Sequence, residues 1–179
     1  MAASDFNYAD YLLYAGAKNV NSSLYATVAH GVLGILENQY KIYTEVQTLT
    51  SNLWIDDTTF ELPAEPVNSI TSIINDGDTI DSTTYSWYGR DVELTTAITD
   101  TRIPLIIEME VGYTTIPRDL KLAIYRHIDS IIFQIEKDVD GIEKVVNSTG
   151  NTTYFRNNVI PPSVEATYEF YSARQMVLT

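Results

Sequence analysis

Between Ser22 and Tyr43 the apolar positions recur three and four residues apart: Leu24, Val28, Val32, Ile35 and Leu36, then Gln39, Tyr40 and Tyr43 continue the row. That spacing gathers them on one face of a helix, so a helix is expected from Ser22 to Tyr43, with Gly31 and Gly34 allowing close helix contact. Ahead of it, NYADYLLYAGAKN reads as a short helix capped by Asn7 and stopped at Gly16, and the following loop ends at Asn21 and Ser22.

From Thr44 the period changes. Threonines with Val46, Leu49, Leu53, Trp54, Ile55 and Phe60 give a strand-forming composition, broken by Asp56 and Asp57. In LPAEPVNSITSI, Pro63 and Pro66 lack N–H donors and hold the backbone extended, which suits the start of an edge strand. Ile70 and Ile73 do not share the alternation that Val67, Ser69 and Thr71 set up, so a kink or bulge is expected there. Asn75, Asp76, Gly77 and Asp78 supply the residues of a tight hairpin turn, centred on Asp76, Gly77 and Asp78. Thr84–Tyr88, Val92–Leu94 and Ile103–Val111 follow as further strands of a small, mostly antiparallel sheet.

The helical period returns in IPRDLKLAIYRHIDSIIFQIEKD, where Pro117 falls in the first turn and Leu120, Ile124, Ile128, Ile131 and Ile135 form one stripe. Beyond Asp138 the periodicity fades, and the Gly, Asn, Ser and Thr of VNSTGNTTYFRNN read as a long exposed loop or arm. Pro161 and Pro162 end it, Ser163 caps, and Val164, Tyr168 and Tyr171 fall on one side of a short closing helix. The fold class is therefore α+β: a mainly helical domain with a small antiparallel β insertion and a C-terminal arm. Residues 1–138 form the core, with the insertion at about 44–113, and residues 139–179 the arm with its helix.

Composition narrows the class. With no cysteine there is no disulfide framework and no thiolate site. No stretch approaches the roughly 20 apolar residues of a membrane helix, and MAASDFNYAD is unlike a targeting segment, so a soluble, unprocessed chain is expected. Eleven basic residues against twenty-four acidic give −13, which argues against general affinity for phosphate backbones or anionic lipid. The excess is uneven: −5 over Met1–Leu62 (two basic, seven acidic), −7 over Pro63–Leu120 (three, ten) and −1 over Lys121–Thr179 (six, seven).

Catalytic signatures are sparse. His30 and His127 lie in different predicted helices, and Asp129, two residues from His127, points to another face. No GxSxG, HExxH, Walker-type or GxGxxG sequence occurs. Asp76, Asp78 and Asp81 imitate a calcium loop, but the distal glutamate is missing and a hairpin turn explains the same letters. The sequons at Asn21, Asn147 and Asn151 read as loop composition. No cofactor and no catalytic residue is expected; a small hydrolase or calcium-dependent module built on Asp76, Asp78 or His127 is the rival class.

Taken in order, the helix from Ser22, the ramp LPAEPVNSITSI, the turn NDGD, the strand IIEMEVGY, the helix start IPRDLKLAI and the closing IPPSVEATYEFYSAR resemble the head-tail connector (adaptor) proteins of tailed bacteriophages. Leu62, Pro63, Pro66, Val67, Ser69, Ile70, Gly77, Gly112, Tyr113, Pro117, Asp119, Leu120, Lys121 and Ala123 carry the likeness. FQIEKD, leading into the polar stretch Val139–Val159, departs from the family's bulkier, arginine-rich helix end. The resemblance implies a non-enzymatic virion protein, made in the host cytoplasm and located in the neck. It would form a ring, a dodecamer, under the portal protein, dock a tail or stopper protein, and let genomic DNA pass without specific binding. A stopper or tail-completion protein is the nearest alternative. Tyr154, Phe155, Pro161, Pro162, Val164, Tyr168, Phe170 and Tyr171 are the candidate contacts to a neighbour, because aromatic side chains anchor interfaces; for the closing helix, packing on its own core is the competing expectation.

Overall fold

The computed structural model describes residues 6–16, 20–98, 102–136, 144–146, 152–154 and 160–173. The chain divides into two compact units, one of Met1–Ile35 with Ile116–Phe170, the other of Leu36–Thr115 with Tyr171–Thr179.

The first unit is helical. α1 (Tyr8–Tyr14) is capped by Asn7, whose side chain accepts from the Asp10 N–H at 2.8 Å. α2 (Ser22–Ile35) is capped by Asn21, which accepts from the Ser23 N–H at 2.8 Å. α3 (Arg118–Glu136) starts at Pro117, whose carbonyl takes the Lys121 N–H. A proline costs nothing at that position because its missing N–H has no helical acceptor to serve. Tyrosines tie these helices together: the Tyr11 and Tyr25 rings stack at 4.7 Å, Tyr14 stacks on Tyr125 at 5.5 Å, and Phe6 meets Tyr125 edge-on at 5.8 Å. The Tyr25 hydroxyl donates to the Phe6 carbonyl at 2.7 Å, and that of Tyr11 to Asp129 Oδ1 at 3.1 Å. Burial, and then the Asp129 charge, push the Tyr11 phenol well above its ordinary value.

Two helical expectations are corrected. The helix from Ser22 does not reach Tyr43: Leu36–Tyr40 widens into a π-turn, Lys41 takes a left-handed φ of 57°, and the Ile42 N–H closes onto the Leu36 carbonyl. On α3 the stripe follows Leu120, Ile124, Ile128 and Ile132, while Ile131 is half-buried and Ile135 exposed. Each step of four advances about 40° around the helix, so the buried row winds by about 120° from Leu120 to Ile132 and brings Ile132 inward instead of Ile131.

The second unit is built on antiparallel strands, with the π-turn Leu36–Tyr40, a 3-10 turn at Ser82–Thr84 and an isolated parallel bridge between Ile42 and Glu65 beside them. Its four-stranded sheet has β1 (Gln47–Leu53), β7 (Leu105–Val111), β3 (Val67–Asn75) and β4 (Asp78–Thr79), in that spatial order. A three-stranded sheet has β2 (Thr59–Glu61), β6 (Asp91–Leu94) and β5 (Tyr85–Tyr88), so there are two sheets here where one was expected. Their apolar faces share one core, in which Leu62, Ile73, Val92, Leu105, Ile107, Met109 and Val111 are buried. β3 shifts register against β7 between Val67 and Ser69 and again between Ile70 and Ser72, which is why its isoleucines leave strict alternation. It is not an edge strand along its whole length, since β7 covers one side and β4 pairs with its end. The turn from β3 to β4 places Asp76 at φ 49° and Gly77 at φ 86°, the paired left-handed conformation that matches the twist of a two-residue hairpin.

Where a long loop was expected after Asp138, β8 (Lys144–Val146) and β9 (Thr152–Tyr154) form an antiparallel hairpin with Lys144 opposite Tyr154. β-branched and aromatic residues in KVV and TTY outweigh the turn-forming letters around them. α4 (Pro162–Ala173) closes the chain; the Pro161 carbonyl accepts from Val164 and Glu165, so Ser163 lies inside the helix and is not its cap.

Candidate assembly surfaces

The closing helix turns its apolar side inward. Val164, Tyr168 and Tyr171 are buried, so three residues expected at a neighbour's surface pack on this chain instead. The Tyr168 hydroxyl lies 3.2 Å from His127 Nδ1, and Tyr171 meets Tyr113 edge-on at 6.3 Å. Of the other expected contacts, Phe170 and Pro162 are exposed and Pro161 half-buried. Tyr154 is placed by its backbone in β9, opposite Lys144, and Phe155 lies outside the described residues.

His127 is a buried side chain of α3, not an accessible base. Burial drives its pKa down to about 4, so the ring is neutral at physiological pH. Asp76, Gly77 and Asp78 are exposed at the hairpin tip. Asp81 is used locally: its carboxylate accepts from the backbone N–H and hydroxyl of Thr83, both at 2.8 Å, and these bonds hold it below the usual carboxylate range. Among the described residues no group of three or more His, Cys, Asp and Glu side chains is arranged to hold a metal ion.

Two surfaces went unremarked in the sequence. One is the outer face of β2-β6-β5. Register places Thr59, Glu93 and Ser86 in one row and Glu61, Asp91 and Tyr88 in the next, all exposed, with Tyr88 at 81%. Three carboxylates and a tyrosine thus share an open shelf bordering a concavity of about 670 Å³. Arg90, in the β5–β6 turn, offsets part of that charge through Glu61 at 3.4 Å. The signal was present in DVEL, whose strict alternation of acidic and apolar letters marks a half-buried strand with an acidic outer face. The other surface is the outer edge of β1, which is charge-free and flanked by exposed Val46 and Trp54.

No helix among the described residues is long and apolar enough to cross a membrane. No protein-family model matches the chain, and no curated protein matches it in sequence. Its fold does have solved counterparts. A chain from the neck of a native GTA particle, computed with C12 symmetry, superposes with a TM-score of 0.61 at 12% identity, covering 95% of this chain and 90% of that one. A chain of the virion of a native gene transfer agent (GTA) particle gives 0.54 at 13% identity, covering 87% and 79%. One from the neck of an empty GTA particle, computed with C6 symmetry, gives 0.53 at 13% identity, covering 87% and 80%. What this chain shares with these neck and virion components is the fold, over 87–95% of this chain and 79–90% of theirs.

Proposed function

We propose that this chain is a structural subunit of the neck of a tailed, phage-like particle: a head-tail connector that assembles as a ring beneath the portal, extends the DNA channel and presents a surface to the tail or the next neck component. The observation that carries this reading is the fold likeness to a neck chain across 95% of this chain and 90% of that one. The order of ramp, DG hairpin, Gly-Tyr strand end and Pro-x-Asp-Leu-Lys helix start supports it independently. Such a protein works by oligomerisation and complementary surfaces, without catalysis and without a cofactor.

Charge suits the task. Twelve copies at −13 each would place roughly 150 negative charges on one ring, and a channel of that sign lets DNA slide instead of adhering. The acidic shelf of Glu61, Asp91 and Glu93 is one contributor to that field. Contacts to portal and tail are assigned to exposed side chains, Phe170 and Pro162 among them, with Tyr154 and Phe155 from the arm.

Electron microscopy of the purified protein, alone and mixed with portal, tests the reading. Rings, or an added layer of density on the portal, are the expected result. A protein that stays monomeric at every concentration and leaves the portal unchanged rules the connector assignment out.

A further inference from the structure

Within the four-stranded sheet β1 is outermost, and among the described residues it pairs only with β7, in unbroken register from Gln47–Val111 to Leu53–Leu105. Its other side therefore presents a row of backbone donors and acceptors. Strands meant to stay unpaired are short, bulged, or protected by lysine or proline. β1 has none of these protections. From Val46 to Ile55 the sequence VQTLTSNLWI contains no charge, proline or glycine, and exposed Val46 (42%) and Trp54 (68%) flank the strand. An edge this long, unbulged and uncharged can take another strand.

A second observation supplies the donor. β8 and β9 pair with each other and with no further strand among the described residues. A two-stranded ribbon is marginal in water and gains stability from a third strand. Charge points the same way. Copies at −13 repel, yet from Lys144 to Val164 the chain has no acidic residue and two basic ones, Lys144 and Arg156. The acceptor strand is charge-free but bracketed by Glu45 and Asp56. Both stretches let one copy approach another at low electrostatic cost.

We infer that the β8–β9 hairpin of one copy adds to the β1 edge of a second copy, extending its four-stranded sheet across the subunit boundary. The inference rests on the ring reading and deepens it. Donor and acceptor are different patches of the same chain, which is the heterologous contact a closing ring requires and a two-fold dimer does not.

The chain has no native cysteine, so introduced pairs report cleanly. Thr153→Cys is combined in turn with Thr48→Cys, Thr50→Cys and Asn52→Cys, so that each pairing register is sampled. Mild oxidation should give a ladder of covalent multimers for at least one pair, collapsing to one band with reductant, while each single variant stays monomeric on the gel. In parallel, Thr50→Lys with Asn52→Lys, both at exposed positions, should shift the light-scattering mass from ring to monomer with the melting temperature unchanged. Rings by light scattering without a ladder from any pair, or rings that survive both lysines, overturn the inference and leave the ring reading standing. A dimer band from Thr50→Cys alone would mean that β1 pairs with itself, and also overturns it. A chain that never forms rings, alone or on portal, sinks both.

Discussion

Gly112 has φ +108°, and a Cβ added there would lie 1.9 Å from the Glu45 carbonyl oxygen and 2.5 Å from its carbon. Both obstacles are backbone, so no rotamer change relieves them. Asn68 Nδ2 donates to the Gly112 carbonyl at 2.8 Å and the Gly112 N–H donates to Pro66, which locks the turn between β7 and the helical region. Gly112→Ala should cost at least about 3 kcal/mol, seen as a large drop in melting temperature. Gly31→Ala is the contrasting case: it sits in α2 with open space around its Cα, and should gain about 0.5–1 kcal/mol by helix propensity alone. His127 belongs to the same scale. Its folded pKa of about 4 lies below the ordinary 6.5, so between those values the unfolded chain binds the extra proton. Stability is therefore retained above pH 6.5 and lost as pH falls toward 4, by on the order of 2–3 kcal/mol. His127→Gln should remove that part of the acid sensitivity, which chemical denaturation at pH 7 and pH 4.5 measures against the unaltered chain.

At the scale of elements, α3 was legible as a helix but not in its facing. Isoleucine occurs at 131, 132 and 135, and only packing decides which of them turns inward. Ile132→Ala should cost about 2–5 kcal/mol, whereas Ile135→Ala at an exposed position should change stability by less than about 0.5, both read from thermal melts. The hairpin at Asp76–Gly77 and the proline start of α3 were legible because their signals are local: a residue that tolerates positive φ, or one without an N–H, acts where it stands. The end of α2 was not, because a π-turn at Leu36–Tyr40 and a left-handed lysine have no sequence signature of comparable strength. The β8–β9 hairpin was hidden for the opposite reason, its short strands lying among asparagine, glycine and threonine that read as loop. The inward side of α4 was visible as spacing, but whether Val164, Tyr168 and Tyr171 met this chain or a neighbour was not, since an apolar stripe does not name its partner.

For the whole molecule, the α+β class and the helical frame around a β insertion followed from changes of period along the chain. Strand order did not, because β1 pairs directly with β7 after more than fifty intervening residues, as Leu53 opposite Leu105 shows, and that pairing decides which edge is left open. Which surfaces are open depends on this long-range order: the fold exposes Phe170 on α4, as spacing allowed, and also an uncharged strand edge and an acidic shelf that spacing does not reveal. The β unit begins and ends at one place. The Tyr113 N–H bonds to the Tyr43 carbonyl at 3.1 Å, so the polypeptide leaves the β unit beside the point where it came in. Loop closure over so small a gap costs little and rises only slowly with the length enclosed. The β unit is in effect a cassette: its strands can lengthen or shorten with little added entropic cost to the closure between Tyr43 and Tyr113.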